Sequence, residues 1–225
     1  MIEFPAAKRT RLRRMIGLRT ALPAIILAAA FAVVVRAEER GETARGGFEA
    51  KLEYCMTCHG LSGQGYRGYF PMPRLAGQQP QYIENQLRAF IERRRSNPVM
   101  ANVARVLSPA MVSALAAHFK KLDPKPLGEP THGSPAIGKR IYDEGIPEAN
   151  VPACSACHGT DGKGQNEIPR LAGQLYDYTV GQLAGWSKVR GQESAAGTSA
   201  VMGQITHNLT RSQAEAVAAY VSHLQ

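Results

Sequence analysis

The stretch Cys55-Met56-Thr57-Cys58-His59 and its later counterpart Cys154-Ser155-Ala156-Cys157-His158 decide the fold of this chain. On one turn of helix, cysteines at positions i and i+3 and a histidine at i+4 project from the same face. With this spacing, two thiols reach one porphyrin edge while the imidazole meets the iron. Each pentad therefore predicts the covalent attachment of a c-type haem.

The cysteine count supports this interpretation. The chain has four cysteines, and all of them lie inside the two pentads, so no thiol is left for a disulfide or a nucleophile. A structural zinc site needs four protein ligands, whereas each pentad supplies three. A single zinc site pooled from both pentads, or a redox pair of cysteines, would leave two identically placed histidines without a role. We therefore predict two haem c groups.

Residues 1–37 are interpreted as a signal peptide that directs export to the periplasm. Six basic side chains precede an apolar run from Ala21 to Val35, and Val35-Arg36-Ala37 offers small residues for cleavage after Ala37. The run is short for a membrane span, which needs about 20 apolar residues, and it contains Pro23. Retention as an uncleaved N-terminal anchor, with membrane association, is the alternative. A twin-arginine signal at Arg13-Arg14 is disfavoured against a general secretory signal.

The basic character of the chain belongs mostly to this segment. The whole chain carries 27 Lys+Arg and 18 Asp+Glu, and removal of residues 1–37 leaves 20 basic and 17 acidic side chains. The remainder therefore offers no argument for nucleic-acid binding, which requires a basic stripe or a recognisable motif. The local run Arg93-Arg94-Arg95 is interpreted as a solvated helix end, with docking of a charged partner as the alternative.

The rest of the chain is an internal duplication. Cys55 and Cys154 are 99 residues apart, and the segment Pro-Arg-Leu-Ala-Gly-Gln at 73–78 recurs 96 residues later at 169–174. The offset changes because the first copy has three extra residues after its pentad. Between the copies, residues 123–130 form a Pro-rich run that neither continues a helix nor pairs as a central strand. We predict domains at 38–123 and 136–225, joined by a linker at 124–135.

The periodicity within each copy is helical, so we predict an all-α fold. Amphipathic helices are expected at 81–90 and 177–186, and a capped final helix follows in each copy. The first of these final helices begins at Ser108-Pro109, and the second at Thr210 or Ser212. Their inward stripes share apolar side chains at helical spacing: Met111, Leu115 and Phe119, then Ala214, Val217 and Val221.

The sixth iron ligand decides the function. Met100 and Met202 occupy matching places before the final helices, in what we interpret as loops opposite the proximal histidines. Methionine ligation gives a saturated iron with a raised potential, although core packing is an alternative role for methionine. The other methionines after residue 37 have no counterpart in the other copy and are interpreted as surface or core: Met56, Met72 and Met111. The remaining histidines are interpreted as structural or solvent-exposed: His118, His132, His207 and His223.

The duplicated pentad followed by Gly, the Pro-Arg-Leu-Ala-Gly-Gln segment, the helix containing Gln-Leu, and the Met before a capped final helix resemble the dihaem cytochrome c4 family. The resemblance covers residues from about 46 to the end and implies two tandem class I cytochrome c domains. It also implies thioether bonds at Cys55, Cys58, Cys154 and Cys157, proximal ligands His59 and His158, and distal ligands Met100 and Met202.

The resemblance further implies that the carbonyls of Pro73 and Pro169 accept a hydrogen bond from the proximal histidines. Beside them, Arg74 and Arg170 are candidate partners of the haem propionates. Three amphipathic aromatic side chains are candidates for the same role, with plain core packing as the alternative: Tyr82, Tyr178 and Trp186. The chain departs from the family mainly in the Gly- and Ser-rich loop at 187–201, close to Met202.

The function implied is that of a periplasmic electron carrier of the respiratory chain, not an enzyme. It would accept electrons from a quinol oxidase or a dehydrogenase and deliver them to a terminal oxidase. One alternative is a haem subunit of a larger dehydrogenase, which differs in having a permanent and larger interface. A dihaem peroxidase or thiosulfate-type dehydrogenase is disfavoured, because it requires a differently ligated iron with acid–base groups nearby.

Overall fold

The computed structural model describes residues 45–128, 133–190 and 198–225, apart from the side chains of 198 and 199. Within these ranges the regular secondary structure is helical, and extended pairing is confined to isolated antiparallel bridges. The all-α prediction is therefore confirmed. The predicted signal peptide at 1–37 and His132 lie outside the described residues.

The described part of the first repeat contains four helices. Helix α1 covers residues 45–59 and carries the first pentad at its end. It is followed by α2 (Pro80–Ile91), α3 (Pro98–Arg105) and α4 (Pro109–Lys121). Helix α2 packs against both α3 and α4. Helix α4 begins as predicted, because the Ser108 side chain accepts a hydrogen bond from the Met111 N–H at 3.2 Å.

The second repeat contains a longer series of elements. In chain order these are α5 (Pro135–Glu144), a 3₁₀ turn (Pro147–Ala149), α6 (Ser155–His158), α7 (Tyr176–Ala184), α8 (Trp186–Arg190), α9 (Thr198–Asn208) and α10 (Arg211–His223). Helix α10 packs against α5 and α7. Its predicted apolar stripe is buried at Ala214, Val217 and Val221. Thr210, not Ser212, is the cap, and it forms a reciprocal capping box with Gln213.

The helix predicted at 177–186 is shorter than expected. Helix α7 ends at Ala184, and Gly185 (φ −111°, ψ 17°) separates it from α8. Glycine is a poor helix former because it loses the most backbone entropy on folding. The apolar periodicity of the sequence therefore continues across a break between two helices. Trp186 and Arg190 belong to the second of these, the short helix α8.

Residues 50–225, which include both pentads, form one compact unit. Residues 122–128, at the start of the predicted linker, have no regular structure, and α5 begins at Pro135. The exact domain boundaries stay a prediction. Of the helices described, none alone has the length and apolar composition to cross a membrane; α3 and α4 pass that test only as a pair bent by 116°.

Candidate haem sites

The two pentads adopt the local geometry that the sequence predicts. The first occupies the last turn of α1, and the second begins at Cys154 and ends α6 at His158. The four cysteines are unpaired; the first of each pentad is half-buried and the second is exposed. Tyr142, itself fully buried, donates a hydrogen bond to the Gly159 carbonyl at 2.7 Å and so holds the end of α6. Each turn therefore offers two unpaired thiols, one half-buried and one exposed, beside a histidine.

Both predicted proximal histidines are buried, with exposed fractions of 7 % for His59 and 5 % for His158. Nδ1 of His59 lies 2.8 Å from the Pro73 carbonyl oxygen, and Nδ1 of His158 lies 2.9 Å from that of Pro169. A carbonyl oxygen only accepts, so Nδ1 carries the proton and the lone pair is on Nε2. This is the tautomer and orientation of a metal-binding imidazole. The expected proline acceptors are confirmed.

The protonation of these groups follows from their burial. Burial lowers the pKa of His59 and of His158, and the positive charge of Arg95 lowers the pKa of His59 further, while the proline carbonyls oppose both effects. The neutral imidazole, which is the metal-binding form, is therefore favoured. Burial raises the pKa of Cys154 to about 11. A raised pKa of this kind keeps the thiol protonated at neutral pH.

The predicted distal ligands lie on helices, and the expectation that they lie in loops was wrong. Met100 is in the first turn of α3, where the Asn97 side chain accepts from the Met100 N–H at 3.0 Å. Met202 is in α9. Both are half-buried. Ile205 of α9 and Cys154 pack against one buried cluster around Tyr142, so α9 approaches the second pentad. Ligation by Met100 and Met202 stays a prediction.

Buried polar atoms provide a further test of whether the chain fits haem. Among the described residues, Arg74 Nη1 and Arg190 Nε are buried and have no hydrogen-bond partner. Guanidinium N–H groups are well suited to carboxylates, which haem carries as propionates. The donor set thus includes unpaired thiols, neutral imidazoles and unsatisfied guanidinium N–H groups. This set fits haem c.

The two repeats are joined by reciprocal hydrogen bonds next to the histidine acceptors. The Gln174 side chain accepts from the Arg74 N–H at 2.8 Å and donates to the Arg74 carbonyl at 3.1 Å. The Gln78 side chain accepts from the Arg170 N–H at 2.7 Å and donates to the Arg170 carbonyl at 3.1 Å. Because Arg74 and Arg170 directly follow Pro73 and Pro169, this exchange ties the two histidine sites together.

The same segments explain why both repeats keep a glycine before this glutamine. Gly77 and Gly173 adopt φ 72° and 70°, where residues with side chains are strained. A Cβ on Gly77 would lie 2.9 Å from Arg170 Nη1, and one on Gly173 would lie 3.3 Å from Arg74 Nη1. Each glycine therefore leaves room for the guanidinium of the other repeat.

Asp123 supplies the negative charge for this arginine pair. Its Oδ1 lies 3.4 Å from Arg74 Nη2 and 3.3 Å from Arg170 Nη2. Burial and the neighbouring Arg170 lower the pKa of Arg74 to about 10, although Asp123 opposes them. Both guanidinium groups therefore have an acidic partner within the protein, and a role of Arg74 and Arg170 in binding propionates stays a prediction.

The structure corrects the interpretation of Arg93-Arg94-Arg95 as a solvated helix end. Arg94 is exposed and pairs with Glu92, but Arg95 is 9 % exposed and lies 4.7 Å from the centre of the Phe90 ring. Arg190, which sequence reasoning missed, is 6 % exposed and stacks on Trp186 at 4.3 Å. Comparison of the two repeats could have identified Arg190. Arg95 and Arg190 are 95 residues apart, and their aromatic partners are 96 apart, which matches the separation of the two Pro-Arg-Leu-Ala-Gly-Gln segments.

Comparison with known proteins agrees with this geometry. Residues 135–225 match the family model described as "Cytochrome c". The chain is 34 % identical over 204 residues to cytochrome c-552 of Acidithiobacillus ferridurans, covering 86 % of each chain. It is 38 % identical to the solved cytochrome c4 of Acidithiobacillus ferrooxidans, with a TM-score of 0.66 and coverage of 76 % of this chain and 98 % of that one. The chain belongs to the dihaem cytochrome c4 family.

Membership of the cytochrome c4 family establishes several of the sequence predictions. The fold is two class I cytochrome c domains, the cofactors are two haem c groups bound through the cysteine pairs 55/58 and 154/157, and the chain is an electron carrier, not an enzyme. A third relative is the "thiosulfate dehydrogenase electron acceptor" of Thiomonas intermedia, 38 % identical over 173 residues and covering 75 % of this chain and 77 % of that one.

Proposed function

We propose that this cytochrome c4 accepts electrons from a dehydrogenase in the periplasm and passes them to a terminal oxidase, one electron per haem. The observation that carries the proposal is the identical construction of both histidine sites, with each Nδ1 held by a proline carbonyl. Such fixed ligands keep rearrangement small when an electron arrives or leaves. The basic and apolar segment at 1–37 supports export. The Thiomonas relative favours a dehydrogenase over a quinol oxidase as donor.

Carbon monoxide provides a direct test of the carrier function. The purified reduced protein is expected to show no spectral change when carbon monoxide is added, because both irons are saturated by histidine and methionine. The oxidised protein should show the weak long-wavelength band of methionine bound to iron, at two-haem intensity. Binding of carbon monoxide at either haem would mean an open iron and would favour the peroxidase-type alternative.

An exposed aromatic loop distinguishes the first repeat and has the character of a partner-binding surface. Tyr66 and Met72 exchange backbone hydrogen bonds at 3.0 and 2.9 Å, which closes the loop between them. At its tip Tyr69 and Phe70 are 92 % and 73 % exposed, and their rings meet edge to face at 4.8 Å. The Arg67 side chain donates to the Leu127 carbonyl at 2.6 Å. Clustered exposed apolar side chains of this kind mark interaction sites.

The second repeat lacks this surface. Its equivalent bridge joins Gln165 to Ile168, with two residues between them, whereas five residues separate Tyr66 from Met72. The difference of three is the insertion detected in the sequence. Residues 60–72 contain one charged side chain, Arg67, while residues 159–168 contain Asp161, Lys163 and Glu167. The aromatic loop also lies in sequence between His59 and its acceptor Pro73, and it is therefore close to the first haem site.

We propose that the electron-donating dehydrogenase binds to this aromatic loop. An apolar surface with little charge fits a partner that buries it by close packing, not one attracted over a distance by opposite charge. Its position beside the first haem site makes the first repeat the entry point for electrons. The second repeat, which has a polar loop at this place, then passes the electrons on to the acceptor.

Replacing both Tyr69 and Phe70 by serine tests this assignment. The probe is purified thiosulfate dehydrogenase with thiosulfate, and the measurement is the rate of reduction of the haem-loaded protein as its concentration is varied. The KM for the double variant is expected to rise about tenfold, equivalent to ~1.4 kcal/mol, because two aromatic anchors are lost. The control replaces Asn166 and Glu167, at the tip of the second loop, by serine and should leave KM unchanged.

Equal KM values for both variants would overturn the assignment of the loop. If the wild-type protein is not reduced at all under these conditions, thiosulfate dehydrogenase is not its donor. The carbon monoxide test is independent of both results.

The second candidate is a permanent haem subunit of a larger dehydrogenase, and the same aromatic loop favours it. A permanent interface buries more apolar area than a transient one. Gel filtration of a native extract separates the two: a carrier elutes at the size of a single chain, whereas a subunit co-elutes with its catalytic partner.

A further inference from the structure

A small cavity lies where the chain leaves the first repeat and passes the second. Its volume is about 60 Å³, and it is lined by residues 123–126 together with Arg170 and Gln225. The Asp123 side chain is 72 % exposed, so the cavity reaches solvent, whereas the Arg170 side chain is 6 % exposed. None of the lining residues belongs to a pentad or is a predicted iron ligand. Because a water needs about 15 Å³ by this measure, the cavity has room for a few waters or one small ion.

A second buried arginine, Arg74, lies beside this cavity. A Cβ on Gly173 would lie 3.3 Å from Arg74 Nη1 and 3.2 Å from Cγ of Pro126, so the guanidinium and the cavity wall flank the same point. The Arg74 side chain is 2 % exposed, and its Nη1 is buried without a hydrogen-bond partner. A buried N–H left unpaired costs about 1–3 kcal/mol. The cavity therefore has an unsatisfied donor next to it.

Both guanidinium groups are held in place by the protein itself. Nε of Arg74 donates to the Ala76 carbonyl at 3.1 Å, and Nε of Arg170 donates to the Ala172 carbonyl at 3.0 Å. Nη2 of each arginine lies next to Asp123 Oδ1. Donors that are already oriented lose little conformational entropy when a ligand binds, which favours affinity.

The charges around the cavity do not balance. Arg74, Arg170 and Lys125 carry three positive charges against the one negative charge of Asp123, which leaves a net formal charge of +2. Burial and the charge of Arg170 lower the pKa of Arg74 to about 10, although Asp123 opposes them. Burying cations is costly unless anions accompany them. A doubly charged anion would balance this cluster.

We propose that the cavity is a binding site for a small, doubly charged oxyanion of the sulfate and phosphate class. The N–H groups of the two arginines suit the oxygen atoms of such an ion, and the exposed Lys125 adds a flexible ammonium. Asp123 takes up part of the arginine N–H groups and therefore competes with the anion. Because Arg74 and Arg170 belong to different repeats, a bound anion stabilises the docking of the repeats and the linker.

Calorimetric titration of the haem-loaded protein tests the site. Sodium sulfate and sodium phosphate are titrated separately, and sodium chloride keeps the ionic strength constant. We expect saturable binding of one anion per chain. Lys125→Gln should raise the Kd about tenfold because one cation of the site is lost, and Asp123→Asn should lower it about tenfold because the competing carboxylate is removed.

Arg211→Gln and Glu215→Gln are the matched controls, because they make the same changes in net charge. This ion pair lies at the start of α10, and both of its residues are at least ten positions before Gln225. That separation is roughly 15 Å or more along a helix. Both control variants should therefore leave the Kd unchanged.

A wild-type protein that shows no saturable binding of either anion would overturn the site. Control variants that shift the Kd as much as the cavity variants would also overturn it, because the anion would then respond only to net charge. If Asp123→Asn does not fold, Lys125→Gln decides alone, since Lys125 is exposed and its replacement leaves the buried pair intact. A Kd equal to wild type in that variant would overturn the site as well.

Discussion

Replacing Met100 by alanine is expected to open the first iron and to lower its midpoint potential by on the order of 0.1–0.3 V, within the roughly 0.8 V range that axial ligands span. A thioether ligand favours the reduced iron, so its loss favours the oxidised form. The substitution keeps the helix start, because Asn97 caps the backbone N–H of residue 100 and not its side chain. The same result is expected at the second iron for Met202→Ala.

Carbon monoxide binding and redox titration of each variant provide the measurement. Each single variant should bind carbon monoxide at one haem and lose half of the methionine-to-iron band. The control is Met111→Ala, another half-buried methionine that has no counterpart in the second repeat. A saturated iron in Met100→Ala would show that another side chain is the ligand, and it would remove the repeat-matching argument for Met202 as well.

Gly138→Ala is expected to lower the free energy of unfolding of the haem-loaded protein by about 3 kcal/mol, the upper end of the usual effect of overpacking. Helix α5 crosses α10 at this glycine, which is buried. A Cβ there would lie 1.9 Å from the Ala216 carbonyl oxygen and 2.9 Å from Tyr220 Cβ. Because the closest atom belongs to the backbone, the two helices must separate to admit even a methyl group.

Gly181→Ala is the matched control for this prediction. Gly181 also lies in a helix of the second repeat, α7, but it is exposed, and a Cβ there would meet nothing within 4 Å. This substitution should raise the free energy of unfolding by about 0.5–1 kcal/mol, since alanine loses less backbone entropy. Denaturant unfolding followed by circular dichroism measures both. A Gly138→Ala protein as stable as Gly181→Ala would contradict the tight crossing of α5 and α10.

Local patterns predicted the elements that depend on nearby residues. The pentads, the capped starts of α4 and α10 and the helical periodicity are each decided within a few positions of the chain, so the sequence alone could reveal them. Predictions failed where one or two residues override the structure that the surrounding pattern predicts. The periodicity at 177–186 conceals the break at Gly185. Asn97-Pro98 starts the helix that carries Met100, where we expected a loop.

The three arginines at 93–95 show most clearly what could not be predicted from the sequence alone. They are chemically identical in sequence, yet Arg94 is exposed and Arg95 is buried against Phe90 and Tyr178. Arg93, where φ is 59°, turns the chain between the end of α2 and Arg95. Burial of a particular arginine depends on the path of the chain, which composition does not encode.

The sequence by itself determined the cofactor, the helical fold and the duplication, because covalent attachment and helix periodicity are local properties. Only the tertiary structure decided how the copies meet. A repeat comparison shows that Gln78 and Gln174 are equivalent, but not that each binds the arginine of the other copy. These bonds join residues 92 and 100 positions apart, and contacts at such separations arise only when both repeats have folded and docked.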